Sequence, residues 1–180
     1  MKPNMKFSGR ALFFVTRFFA MIMPAIVVVG FSAGYAPRAL ADKFPEGPQL
    51  QVTPGSFCDH ADQVRYPERV AVCQRNVKHE LKQDIIAEYD KQFGYSIRSM
   101  DRQKFKIDHL IPLCAGGGNS RENLWPQHES IYNITDPLEP LICGKMAAGK
   151  LLQAKAAEII IYAKTHLDQV PTVMKELEAL

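Results

Sequence analysis

The chain contains no internal repeat and no low-complexity tract, so repeat arrays and fibrous folds are excluded. Its 180 residues are too few for two full-sized domains, and a composition of 47% hydrophobic and 23% charged residues excludes a wholly disordered protein. No two of the four cysteines form a C-x-x-C pair, which speaks against a tetrahedral zinc site. Acidic residues are missing altogether before Asp42. The formal charge of +3 is therefore misleading: without Lys2, Lys6, Arg10, Arg17 and Arg38, 17 basic residues face 19 acidic ones, about −2. That balance does not make a general polyanion-binding surface, and a nucleic-acid partner must rest on a local site.

What is present begins with an address. Lys2, Lys6, Arg10 and Arg17 precede an uncharged run from Phe18 to Pro37, and Ala39-Leu40-Ala41 follows it. Positive start, apolar middle and A-x-A end make residues 1–41 a cleavable secretory signal. The alternative is an uncleaved anchor, since the run approaches the ~20 residues that span a bilayer. Pro24, Gly30 and Gly34 interrupt it, which favours cleavage. On either reading residues 42–180 stand outside the cytoplasm, secreted or periplasmic in a bacterium, without stable membrane association once the signal is removed.

In an oxidising compartment Cys58, Cys73, Cys114 and Cys143 form two disulfides by default. Three pairings are open. Cys58–Cys73 with Cys114–Cys143 is favoured because each bridge links neighbouring segments.

Residues 42–72 read as an extended N-terminal segment, rich in Pro and Gly over 42–57. A single domain follows over 73–170. Val77, Leu81, Ile85, Ile86, Tyr89 and Phe93 recur at helical steps and predict a helix over 76–93, stopped by Gly94. Phe105, Ile107 and Ile111 mark a strand over 104–113, and Gly116-Gly117-Gly118-Asn119 forces a turn. Asn123-Leu124-Trp125 returns as a second strand, ended by Pro126, with Trp125 as a core plug. A helix over 128–135 is then interrupted or restarted at Asp136-Pro137, and Leu152 to Leu167 carry an amphipathic stripe. Gly144 to Lys150 almost spells a phosphate-binding loop, but Leu151 stands where Ser or Thr is needed, so it reads as a turn between helices. Val170-Pro171 closes the last helix, and residues 171–180 read as a charged tail. The fold class is α+β, one small domain with a lean core stapled by disulfides.

The reactive side chains concentrate in residues 106–133, which hold Asp108, His109, Asn119, Asn123, His128 and Asn133. Phosphodiester hydrolysis needs a base near neutral pH, for which imidazole is suited. It also needs a hard cation held by oxygen ligands such as Asp and Asn. Asp108-His109 and Asn133 supply both kinds of group. One difficulty is geometric: adjacent strand residues project to opposite faces, so Asp108 and His109 share a site only if the strand bends.

The ordered series Asp108-His109-Leu110-Ile111-Pro112-Leu113, Gly116-Gly117, Asn119 and Asn123-Leu124-Trp125-Pro126-Gln127 resembles the HNH endonucleases, in particular a small exported bacterial group. The resemblance extends over most of residues 53–165. It implies a ββα-metal core, in which a hairpin and a helix clamp one divalent ion. His109 would be the general base, Asn123 would brace the hairpin and orient His109, and Asp108 and Asn133 would hold the metal. Asn133 stands where the simplest family pattern has histidine. A neutral amide oxygen favours Mg²⁺, with Mn²⁺ as the alternative, over Zn²⁺. His128 is the rival to Asn133 at the metal, or a phosphate contact.

The activity implied is metal-dependent endonuclease cleavage of DNA, with RNA as a second substrate, at low sequence specificity and by a monomer. Arg98, Arg102, Lys104, Lys106 and Arg121 would touch phosphates. The alternative from another class is a non-catalytic, disulfide-stapled extracytoplasmic binding module. A secreted toxin of this chemistry would also need an inhibitor protein as partner.

Overall fold

The computed structural model describes residues 44–180, and the signal assigned to residues 1–41 lies outside the described residues. Among the described residues, no helix is long and apolar enough to cross a membrane. The elements run β1 (Gln63–Arg65), β2 (Val70–Val72), α1 (His79–Phe93), β3 (Phe105–His109), β4 (Leu124–His128), α2 (Glu129–Thr135), α3 (Leu138–Ala147), α4 (Gln153–Thr165) and α5 (Val170–Ala179). Each pair of strands forms its own two-stranded antiparallel sheet, β1 with β2 and β3 with β4. The chain is therefore a small α+β domain.

Helix α1 buries Ile85, Ile86 and Tyr89, as their spacing dictates, and Gly94 ends it in the left-handed conformation at φ 74°, its N–H bonded to the Asp90 carbonyl. It starts three residues later than the apolar periodicity suggests. The Asn76 N–H donates to Asn119 Oδ1 (3.3 Å) and not to a helical turn, which keeps this stretch on the loop after β3. The strand pair holds the register Phe105↔His128, Ile107↔Pro126 and His109↔Leu124. Pro126 thus lies inside β4 and does not end it. In a two-stranded sheet every strand is an edge, and a residue without an N–H is tolerated there.

Two apolar clusters flank this sheet. One gathers α1 and the sheet around Trp125, Leu124, Ile107 and Ile86. The other gathers α3, α4 and α5 around Ile142, Met146, Ile160 and Leu177. Trp125 is fully buried, the core plug its position predicts.

Two further segments depart from the sequence expectation. Residues 42–72 are not uniformly extended, because Gln63 to Val72 form the β1–β2 hairpin. Residues 171–180 are not a tail: Pro171 sits in the first turn of α5, where its missing N–H costs nothing, and Val173 and Leu177 enter the core.

The cysteines pair as Cys58–Cys73 and Cys114–Cys143, with Cα–Cα distances of 5.6 and 5.9 Å. The bridges close loops of 15 and 29 residues, each constraining the unfolded chain by about 3–4 kcal/mol on a chain-entropy account. Two such bonds fit an oxidising, extracytoplasmic compartment.

Candidate active site

The loop between β3 and β4 is built on one buried amide. Asn123 Oδ1 accepts the Ile111 N–H at 2.8 Å, and its Nδ2 donates to the carbonyls of Ile111 and Gly118, both at 2.9 Å. Gly117 is required because a Cβ there would collide with the Ile111 carbonyl and crowd Asn123 Nδ2. Asn123 is thus the brace that was expected, but its contacts are to the loop backbone and not to His109. Asn123→Ala orphans a buried N–H and two carbonyls and should cost about 2–4 kcal/mol. Urea unfolding measures this, and a loss below about 1 kcal/mol would contradict the bracing role.

His109 is 2% exposed at the end of β3. Its Nε2 lies 3.0 Å from Asn119 Oδ1 and its Nδ1 lies 3.2 Å from Arg75 Nη2. These contacts define the tautomer. Asn119 Nδ2 donates to the Gln74 carbonyl (2.8 Å) while its Oδ1 receives the Asn76 N–H, so a flipped amide would set like against like at both ends. The Nε2 therefore carries the hydrogen, and Nδ1 carries the lone pair, which a guanidinium can only donate to. Asn119 does the orienting that was expected of Asn123.

Burial pulls the His109 pKa down to about 4; the hydrogen bond to Asn119 opposes this, and the charge of Arg75 adds to it. The ring is neutral at pH 7 and is chemically a base. The unfolded chain titrates near 6.5 and the folded ring near 4, so in that window the unfolded state binds more protons and stability falls as pH is lowered. The contribution is complete above pH 6.5, and about 3 kcal/mol of it is lost by pH 4. Urea midpoints at pH 7 and pH 4.5 check this against His109→Gln, which should lose the extra acid sensitivity.

Arg75 and Asn119 line a polar cleft of about 590 Å³, together with Asp62, Gln74, Asn76 and Ser120. The imidazole sits behind them.

The regular pleat of β3 sends Asp108 to the other face, so the bend that would unite it with His109 does not occur. Asp108 is buried in a cage of charges. Its Oδ2 accepts from Lys164 Nζ at 2.7 Å, and its Oδ1 lies 3.3 Å from Lys106 Nζ. Lys164, fully buried on α4, also donates to the His109 carbonyl (2.7 Å) and to Glu139 Oε1 (3.2 Å). Lys106 bonds both oxygens of Asp136 at 2.6 and 2.7 Å and lies 4.8 Å from the Tyr132 ring centroid. Burial pushes the Asp108 carboxyl up, but Lys164 and Lys106 outweigh it and hold it below its ordinary value. Burial raises Glu139, with only partial relief from Lys164. Lys164 is held above its ordinary value, since Asp108 and Glu139 overcome the burial that would lower it.

These residues test the expected metal site. Asp108, Asp136 and Glu139 bring carboxylate oxygens within 4.8 Å of one another. Two ammonium groups already fill that space, however, and would repel a divalent ion. Asn133 is exposed on α2, and its side chain makes no hydrogen bond among the described residues. The donor set Asp108 with Asn133 therefore does not fit the ion the resemblance implies. His128 is no substitute: its Nδ1 caps α2 by accepting the Ser130 N–H (3.3 Å), and its ring stacks on Phe44 at 4.1 Å.

The basic residues expected at phosphates are largely occupied. Lys104 pairs with Glu129 (3.2 Å), Arg121 with Glu88 (2.5 Å) and Lys106 with Asp136. Arg75, which the sequence did not single out, faces the cleft instead. No protein-family model matches this chain, and neither does any curated protein or solved structure. Fold and site together define a disulfide-stapled α+β domain that presents a polar cleft over a buried neutral imidazole.

Proposed function

We propose that this protein is an exported endonuclease that hydrolyses phosphodiester bonds of nucleic acid, DNA first and RNA second, with low sequence specificity. The observation that carries the reading is His109, a neutral ring whose tautomer is set by Asn119 and whose lone pair faces the cleft side at Arg75. Its Nδ1 takes a proton from water. The water oxygen bonds to phosphorus, the bond to the departing 3′ oxygen breaks, and that oxygen takes a proton from solvent. Arg75 donates to the non-bridging oxygens, where charge builds in the pentacovalent state. A divalent ion would supply further charge neutralisation at the leaving oxygen. Asp108 and Asn133 do not fit one, and the proposed reaction runs on His109 and Arg75.

The test is incubation of the oxidised protein with supercoiled plasmid and with RNA, with Mg²⁺ and with chelator. Nicked and linear plasmid is the expected product. Intact plasmid and RNA in every arm would sink the proposal. Activity that persists in chelator agrees with the lysine-filled cage; activity lost in chelator places an ion elsewhere, against the cleft.

A second reading, a non-catalytic extracytoplasmic binding module, is favoured by one observation: Asp108 and Asn133 share no partner. Binding of nucleic acid without cleavage in the same assay would select it.

A further inference from the structure

We propose that Arg75 is a substrate-operated cover on the base: in the resting protein it occupies the His109 lone pair, and a phosphodiester entering the cleft draws it away and uncovers that lone pair. This rests on the endonuclease reading and adds to it how the site is switched on.

The resting ring has no free basic position. Nε2 carries its hydrogen and gives it to Asn119, and Nδ1 receives Arg75 Nη2 at 3.2 Å. A water in the cleft therefore has no nitrogen to which it can pass a proton while the guanidinium stays in place. Arg75 is also weakly held. Its side chain is exposed, and among the described residues it makes no ion pair with a carboxylate. Its single bond to a neutral nitrogen is at the long end of the range for a hydrogen bond. A phosphate offers two anionic oxygens to the planar fork of a guanidinium, a shorter and stronger charge-assisted pair. In competition for Arg75, phosphate wins over imidazole.

The backbone around Arg75 is built so that only the side chain need move. Cys73 is tied to Cys58, the Gln74 N–H donates to Asp62 Oδ2 (2.6 Å), and the Gln74 carbonyl accepts from Asn119. On the other side the Asn76 N–H is held by the same Asn119. Asn119 thus grips the chain before and after Arg75 and orients the ring that Arg75 covers. The cleft of about 590 Å³ into which the guanidinium would swing has room for a phosphate and its ester groups. Uncovering the base only beside bound substrate would leave the attacking water next to phosphorus at the moment it can be deprotonated.

The test is nitrogen-15 NMR of the His109 imidazole in the oxidised protein at pH 7.5, where the ring is neutral with or without ligand. Dimethyl phosphate is the diester probe and inorganic phosphate the second. In the wild type the probe should move the Nδ1 resonance downfield, toward the value of a lone pair freed from its donor, and leave Nε2 in place. Arg75→Ala should show that freed Nδ1 value without any probe and should not respond to it. Arg75→Lys, a point charge without the fork, should respond more weakly than the wild type.

An Arg75→Ala protein whose Nδ1 resonance equals that of the wild type overturns the proposal. So does a wild type in which the amides of Gln74 to Asn76 respond to the probe while Nδ1 stays fixed, and so does the absence of any response at both. If Nδ1 responds as described in a protein that cleaves neither plasmid nor RNA, the cover stands and the endonuclease reading alone falls.

Discussion

His109→Ala should abolish plasmid nicking, a loss of about 10²–10⁴-fold in rate, as expected when a positioned general base is removed. The ring that carries this effect is 2% exposed and anchored at Nε2 by Asn119 (3.0 Å). It is neutral because burial has brought its pKa to about 4. The adjacent carboxylate is not placed to take over: Asp108 lies on the opposite face of β3, where two lysines hold it. Removing a buried ring also leaves a cavity, so His109→Gln belongs in the same assay. It keeps most of the volume and should be as inactive as the alanine variant while unfolding closer to the wild type. Time courses of supercoiled plasmid loss, beside urea midpoints for both variants, separate chemistry from folding. Full nicking by His109→Ala would leave the proposed mechanism without its base.

Lys164→Met should destabilise the protein by about 3–5 kcal/mol, the cost of removing one partner from a buried ion pair. The ammonium donates three hydrogen bonds inside the core, to Asp108, to the His109 carbonyl and to Glu139. Methionine fills the space but leaves a buried carboxylate and a strand carbonyl without their donor. Lys106 compensates only in part, because it is 33% exposed and spends its short contacts on Asp136. The pair itself has little net value, since desolvation offsets most of its attraction. Lys164→Met combined with Asp108→Leu should therefore recover a large part of the loss. Urea titration of wild type, single and double variants measures this. A single variant within about 1 kcal/mol of the wild type would show that the cage is not a buried ion pair in solution.

The Lys164 contact also ties α4 to the candidate site. It bonds the carbonyl of His109 itself, so the end of β3 is pinned from a helix 55 positions later in the chain. Nothing in the local sequence marks this lysine. It stands among residues of an amphipathic helix whose apolar stripe was plain, and a lysine there reads as a solvated side chain.

Much of the framework was legible because it follows from near neighbours. Apolar residues three and four apart give α1 one face to bury, and Gly94 ends it because glycine adopts a positive φ at low cost. The order strand, glycine turn, strand and helix over 105–135 follows from alternation and turn chemistry. The disulfide pairing is the one that proximity in the chain favoured among three open possibilities. The misread segments were those in which a local signal met a tertiary use. Pro126 reads as a strand end but sits in an edge strand, and Pro171 reads as a helix end but opens α5.

The sequence by itself determined the order strand, turn, strand and helix over 105–135 and the histidine beside an aspartate, since each depends on spacing within a few residues; it favoured the two cross-links without fixing them. Only the tertiary structure decided which groups meet. The pleat of β3 turned Asp108 and His109 apart, and partners 34 and 55 positions away, Arg75 and Lys164, arrived on opposite faces of the strand. Side-chain encounters over such separations are set by packing, and no local periodicity encodes them.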